Sequence, residues 1–316
     1  MRRILPAALI LATALAASAC GAPGSSSRTT VPHQAASAPS QAAAPLPAAP
    51  GKVTVGSADF PESELLAHLY AGAMRARGVS VQIHANIGER AAYISALKEG
   101  SIGAIPEYTG AILNHLAPGQ KATSPQDIYT QLRRTAQTQG LAVTDYAPAQ
   151  DTDTITVTKA TADKYHLRSI GDLKHVAGQL ILGAPQPLLT VPYGVPGLKK
   201  VYGVTFKQFV ALAPTGTITQ TALRNGTVDA ADIFSTDPAI SRYGFVSLND
   251  PHNLFAAQNV VPLFKRDVLS QPMADACDAV SAKLTTAVLG ELDAQIANGA
   301  DPADVAHKWL ATHRLG

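Results

Sequence analysis

Two cysteines, nine histidines and 23 acidic residues are the groups of this 316-residue chain that could ligate a metal, attack a carbonyl or move a proton. Their spacing supports none of those reactions. No G-x-S-x-G elbow, H-E-x-x-H helix, phosphate-binding P-loop or C-x-x-C pair occurs. The histidines are scattered; His68, His84 and His307 fall on segments that read as helix, strand and helix, where packing or solvation is the commoner role. Cys277 sits in Met273-Ala-Asp-Ala-Cys-Asp-Ala-Val280, which reads as a helix with a small buried residue. Cys20 differs. It follows Ser18-Ala19 at the end of an apolar run from Ile4 to Ala17 that begins after Arg2 and Arg3. A basic start, a short apolar core and small residues before a cut describe a secretory signal. A cysteine at the cut is a group for lipid attachment. With Cys20 so used, Cys277 has no partner for an intramolecular disulfide.

The leader is therefore residues 1–19, and it looks like a bacterial lipoprotein signal, with Ala17 where Leu is usual. Residues 20–51 are Ala, Pro, Ser, Gly, Thr and Gln with almost no large apolar side chain. Such a segment cannot bury enough surface to offset its ordering entropy and reads as a disordered, semi-extended tether. No later run of eighteen apolar residues could span a bilayer. Lys and Arg number 25 against 23 Asp and Glu, so loss of Arg2 and Arg3 with the leader balances the charges. A balanced chain without a concentrated basic face is not a nucleic-acid binder.

The rest must be positioned by alternating strands and helices. Lys52–Gly56 alternates and reads as a strand. Asp59, Pro61 and Glu62 form a helix-start pattern before an apolar stripe at Leu65, Leu69 and Ala73. Val79, Val81 and Ile83 alternate as a second strand. A turn at 86–90 leads to a short helix with Tyr93, Ile94 and Leu97, capped by Gly100. Ile102–Ile105 is a third strand, a helix starts at Ser124-Pro125, and 141–144 and 154–158 are further strands. Ser169 opens a short helix, 179–183 is a buried strand, 195–202 and 219–225 are helices, and 230–234 is a strand. From Asp267 the chain is nearly all helical, with Asp301-Pro302 opening the last helix. This alternation predicts an α/β architecture on parallel sheets.

Five fragments occur in order: Val53-Thr-Val-Gly-Ser-Ala-Asp-Phe-Pro-Glu62, Tyr93-Ile-Ser-Ala-Leu97, Pro106-Glu-Tyr-Thr-Gly110, Asp229-Ala-Ala-Asp-Ile-Phe-Ser-Thr-Asp237 and Asn259-Val-Val-Pro262. Together they resemble the substrate-binding component of osmoprotectant ABC importers, the glycine betaine, choline and carnitine group, over residues 52–316. The resemblance implies a type II periplasmic-binding-protein fold: two α/β lobes joined by a two-strand hinge. It places lobe 1 at 52–152 plus 259–316 and lobe 2 at 153–258, with crossings near 149–157 and 254–262. It implies a solute trapped between the lobes, no cofactor and no resident metal, and an ABC permease with its ATPase subunit as partners.

Members of that family hold a quaternary ammonium among aromatic rings, each contact giving roughly 0.5–2 kcal/mol when desolvated. Carried over, Tyr93 matches one tyrosine and Phe234 keeps a ring without a hydroxyl. Asp153 and Gln258 stand where two further aromatics are common. The loop from Gln186 to Tyr193 lacks the arginine that meets a ligand carboxylate; Val191 lies near its place, and Tyr193 is a substitute aromatic. These departures point to a more polar or larger ligand met by Asp153, Gln258, Thr236 and Ser57. The resemblance also sets the helix start at Asp59–Glu62 and the Glu107-Tyr108 pair beside the cleft. The expectation is a lipid-anchored solute-binding protein on the outer face of the cytoplasmic membrane and not an enzyme. The alternatives are a lipid-anchored hydrolase, or a scaffold lipoprotein that kept the fold without transport.

Overall fold

A computed structural model describes residues 45–49, 51–213 and 216–316. The expected signal sequence, Cys20 and most of the expected tether lie outside the described residues. Pro45–Gly316 forms one compact unit. In chain order it runs β1 (Lys52–Gly56), α1 (Pro61–Ala76), β2 (Ser80–His84), α2 (Arg90–Glu99), β3 (Ala104–Tyr108), α3 (Thr109–Leu116), α4 (Pro125–Thr138) and β4 (Leu141–Val143). Then come β5 (Asp153–Thr158), α5 (Lys159–Tyr165), β6 (Ile181–Ala184), α6 (Val195–Gly197), β7 (Gln208–Ala211), α7 (Thr217–Arg224), β8 (Ala230–Phe234), α8 (Ala239–Tyr243) and β9 (Phe245–Ser247). Finally β10 (Val260–Lys265) precedes α9 (Gln271–Ser281), α10 (Thr286–Ala297) and α11 (Pro302–His313).

Two five-stranded sheets result, ordered β2-β1-β3-β10-β4 and β7-β6-β8-β5-β9. In each, a parallel trio starts one edge: β2, β1 and β3 in the first and β7, β6 and β8 in the second. The parallel pairing expected from the alternation holds within each trio, and the other strands reverse it. β10 runs antiparallel to β3 and β4, and β5 runs antiparallel to β8 and β9. The reversed strand of each sheet is the one the chain enters straight from the hinge, without a helical crossover to turn it round.

The hinge is a narrow antiparallel pair. Val260 N donates to Ala149 O at 3.0 Å and Asp151 N to Gln258 O at 3.2 Å, with Gln150 opposite Asn259. The buried Asn259 ties it to the first lobe: its Nδ2 donates to Ala147 O at 2.8 Å and its backbone O accepts from Thr109 N at 2.9 Å. Ser235 ties it to the second, with Oγ donating to Gln150 O at 2.7 Å and N donating to Thr152 O at 2.9 Å.

Helices cover both faces of the first sheet. Leu65, Leu69, Tyr70 and Met74 of α1 pack with Met273 and Cys277 of α9 and Trp309 of α11; Ile94, Leu97, Ile112, Ile128 and Leu132 fill the other face. The second lobe has its own core around Ile155, Leu182, Leu198 and Phe255. Cys277 is fully buried, and burial drives its thiol pKa upward, which keeps it a protonated packing residue.

Local differences from the sequence reading have physical causes. Phe60, not Asp59, is the N-cap of α1, and no side chain caps it; Ser63 Oγ instead accepts from Ala58 N at 2.9 Å. β3 starts at Ala104 rather than Ile102, whose amide still closes the turn after α2 on Ala96 O. It runs through Pro106, which faces Pro262 of β10. The 109/259 pair is hydrogen-bonded, so the proline pair three residues along is non-bonded and neither missing N–H is needed there. The expected helix at 195–202 is a single turn of α6 widening into a π turn over Leu198–Tyr202. The tether is not free up to residue 51: Leu46 packs on the first core and Pro47 O accepts from Gln271 N at 2.9 Å.

Gly110, in the first turn of α3, lets that helix meet the hinge. A Cβ there would lie 2.7 Å from Ala257 O, a backbone atom that cannot step aside alone. Gly110→Ala should lower stability by about 1–3 kcal/mol in urea unfolding, the usual cost of overpacking; an unchanged midpoint would show that the hinge yields.

Candidate functional site

The parallel trios aim their carboxyl ends at the same region. In open α/β sheets that edge is where ligands bind, because loops there are free to vary and helix N-termini point at the crevice. In the first lobe the segments are 57–60, 85–89 and the start of α3; in the second they are 185–194, 212–213 and 235–238. The hinge strands close the back. The seven residues expected to meet a solute lie on these segments or at the adjoining ends of elements: Ser57, Tyr93 on α2, Asp153 opening β5, Tyr193, Phe234 closing β8, Thr236 and Gln258.

Their side chains divide into two groups. Ser57 is fully buried, accepting from Asn86 N at 2.9 Å and donating to Ala58 O at 3.0 Å, so it shapes its loop instead of reaching a solute. Gln258 spends its Oε1 on Ala111 N at 2.8 Å, fixing the first turn of α3. Thr236 donates to Asp151 Oδ1 at 2.8 Å. Tyr93 is only 4% exposed, and its hydroxyl donates to Glu107 Oε1 at 2.7 Å. These four brace the frame. Asp153 and Phe234 face each other across β5 and β8, both half-buried, and Tyr193 is 46% exposed. Sequence reasoning missed Phe60, which is 41% exposed in the loop after β1 and stacks on Tyr108 at 6.4 Å between ring centroids. Its signal was available: an aromatic between a strand and a Pro-started helix has no core to enter.

Glu107 is 1% exposed and fully met. Arg90 Nε and Nη2 donate to it at 2.8 and 3.2 Å, Tyr93 adds its hydroxyl, and Tyr108 N donates at 2.9 Å. Burial and the Glu107 charge push the Tyr93 hydroxyl pKa up, so it stays a donor at any working pH. The guanidinium is half-occupied by this pair before any solute arrives.

A run of carboxyls crosses the back of the site. Glu62 on α1 accepts from the Tyr108 hydroxyl. Asp293 on α10 shares a hydrogen bond with Glu62, and burial followed by the Glu62 charge pushes its pKa strongly upward. Asp151 in the hinge is raised to about 7 by burial and then by Glu62. Asp153 is raised by burial, and Asp232 by burial and then by Asp153. No Lys or Arg forms an ion pair with any of these five among the described residues. Because the Asp151 pKa is raised, its protonated form adds stability that is complete below its ordinary 3.8 and is lost as pH rises through about 7.

Residues 51–312 match the family model described as the substrate binding domain of ABC-type glycine betaine transport systems. The chain belongs to this family. The glycine betaine-binding protein YehZ of Escherichia coli K12 is 28% identical over 290 residues, covering 87% of this chain and 93% of that protein. The solved structure of apo YehZ superposes with a TM-score of 0.75 at 26% identity, covering 85% of this chain and all of that one. A structure of a glycine betaine/carnitine/choline ABC transporter protein gives a TM-score of 0.77 at 22% identity, over 83% of this chain and 99% of that one. Family membership makes this chain a substrate-binding protein of an ABC importer, with the two-lobed fold of its solved neighbours.

Arg90→Ala should cost about 2–4 kcal/mol in chemical unfolding, because it strands the buried Glu107 charge. Tyr93→Phe should cost about 1–3 kcal/mol, leaving one carboxylate acceptor short. Equal stability of Arg90→Ala and the parent would mean that Glu107 is not held as an ion.

Proposed function

We propose that this chain captures a small quaternary amine, or another small polar solute, between lobes 52–152 plus 259–316 and 153–258, and passes it to an ABC permease whose separate subunit hydrolyses ATP. The observation that carries the reading is the meeting of two strand-end rims at a hinge, in a family of solute-binding domains. Aromatic surface stands open on both rims, Phe60 on one and Tyr193 on the other, and Phe234 and Asp153 are a half-buried cross-strand pair next to the hinge. A methylated cation donates no strong hydrogen bond and is drawn to ring faces and carboxylates. Contacts to both rims exist together only when the lobes close, so the solute favours the closed form. Relatives named for glycine betaine and choline support the ligand class.

The reading assigns no catalysis to the chain. Substrate-binding proteins of ABC importers work outside the cytoplasm, and no helix among the described residues is long and apolar enough to cross a membrane. Retention at the outer face of the cytoplasmic membrane is then assigned to lipid on Cys20.

Two measurements test this. A thermal-shift series on the full chain with choline, glycine betaine, carnitine and polyols should raise Tm for at least one quaternary amine; a ligand at a hundredfold its Kd stabilises by about 2.7 kcal/mol. Phe60→Ala and Tyr193→Ala should each weaken that ligand by about 0.5–2 kcal/mol. No response to any solute refutes capture. Separately, Cys20→Ala should move the protein from the membrane fraction to the released fraction; unchanged membrane retention would refute the anchor.

A further inference from the structure

The two lobes also meet away from the hinge, along α10. This helix belongs to the first lobe, with Leu289 and Leu292 in the core that α1 and α11 share. The turn into it holds a hinge strand: Leu284 O accepts from Ala149 N at 2.9 Å and Thr286 Oγ1 accepts from Gln150 N at 3.0 Å. One turn further on, Gly290 meets the second lobe, where a Cβ would lie 3.2 Å from Thr236 O. At the far end of the helix its C-cap residue, Asn298, accepts at Oδ1 from Arg242 Nη2 at 2.6 Å.

Arg242 is fixed to the second lobe as firmly as Asn298 is to the first. It lies on α8, whose Ala239, Ile240 and Tyr243 pack with Phe245. Ala239 N donates to Asp237 Oδ1 at 2.8 Å, and the Arg224 guanidinium lies over the Tyr243 ring at 4.9 Å. The bond therefore joins two packed bodies. Its position gives it leverage. At about 1.5 Å per residue, Asn298 stands about 18 Å along the axis from Thr286 at the hinge, and Gly290 about 6 Å. A swing of the lobes by about 10° displaces the far point by up to about 3 Å, beyond hydrogen-bond reach, and the near point by about 1 Å. Both side chains of the far pair are exposed, so water replaces each partner when they separate and the bond biases the lobes only a few-fold.

Resting on the solute-capture reading, in which the lobes swing, we infer that Arg242 and Asn298 form a latch that holds the lobes drawn together before a solute arrives. The Gly290–Thr236 contact is its fulcrum. The latch raises solute affinity by enlarging the share of free protein already in the binding-competent form. Arg242 and Asn298 lie outside the rim segments, so both are positioning residues that act through the lobe angle.

Spin labels on Ala91→Cys and Lys199→Cys, exposed positions on the first and second lobes, report that angle as a distance distribution. The full chain carries Cys20→Ala for this purpose, and the buried Cys277 takes no label. Without solute, Asn298→Ala and Arg242→Ala should each lengthen the distance, and the double variant should lengthen it no further than either alone. Asn298→Asp, which keeps the acceptor, should stay at the parent distance. Gly290→Ala should lengthen it by wedging the fulcrum, although alanine favours the helix. Urea midpoints of the Asn298 and Arg242 variants should match the parent, which separates a latch from a structural contact. In calorimetry with choline and glycine betaine, Asn298→Ala and Arg242→Ala should raise Kd about two- to fivefold. Distances unchanged in Asn298→Ala and Arg242→Ala, or lengthened equally in Asn298→Asp, overturn the latch and leave capture standing. No binding of either solute by the parent counts against capture, while the distances still judge the latch.

Discussion

The pairing of residues 149–151 with 258–260 is the constraint on which the molecule depends. Only a few backbone hydrogen bonds hold the two strands there, yet the pair is anchored into each lobe. Asn259 locks one end into the first lobe through Ala147 and Thr109, and Ser235 locks the other into the second through Gln150 and Thr152. The lobes therefore have separate cores and a common axis. It also dictates sheet topology, since the strand entering each lobe from the hinge must run against its neighbours.

That geometry decides where chemistry can happen. Buried backbone in the sheets is fully paired, so variable side chains collect at strand ends, and the hinge brings two sets of strand ends opposite one another. Helix α10 adds a third wall: Gly290 allows its backbone to approach Thr236, with a hypothetical Cβ 3.2 Å from Thr236 O. Asp293, one turn further on, thereby joins the carboxyls of α1 and the hinge. Sequence separation hides this completely, because Glu62, Asp151 and Asp293 lie on three elements far apart in the chain.

Much of the frame was legible without coordinates. Period-two runs marked β1 and β2, and Gly100 and Asp301-Pro302 marked helix ends with defined cap chemistry. The misreadings share one cause: local pattern cannot see which register or partner satisfies a backbone group. Pro106 looked like the end of a strand and is inside one, because Pro262 opposes it at a non-bonded step. Asp59 looked like a cap, but Ser63 took the loop amide. At the site, the positions carried over from the family fall at strand ends and the hinge, while the hydrogen bonds of Ser57, Gln258, Thr236 and Tyr93 are ones no motif encodes.

The same limit explains why aromatic counting misjudges this cleft. A quaternary ammonium can be held by ring quadrupoles or by ionised carboxyls, and the two are not equivalent. Rings attract a cation without first being charged, whereas crowded carboxyls must shed protons to do so. Phe60 and Tyr193 give the rims open ring faces, but the back wall is acidic and uncompensated. A site of mixed character should discriminate by net charge at its back and by methylation at its rim. Arg90 already commits two of its N–H groups to Glu107, so a zwitterion's carboxylate would find that guanidinium only partly open.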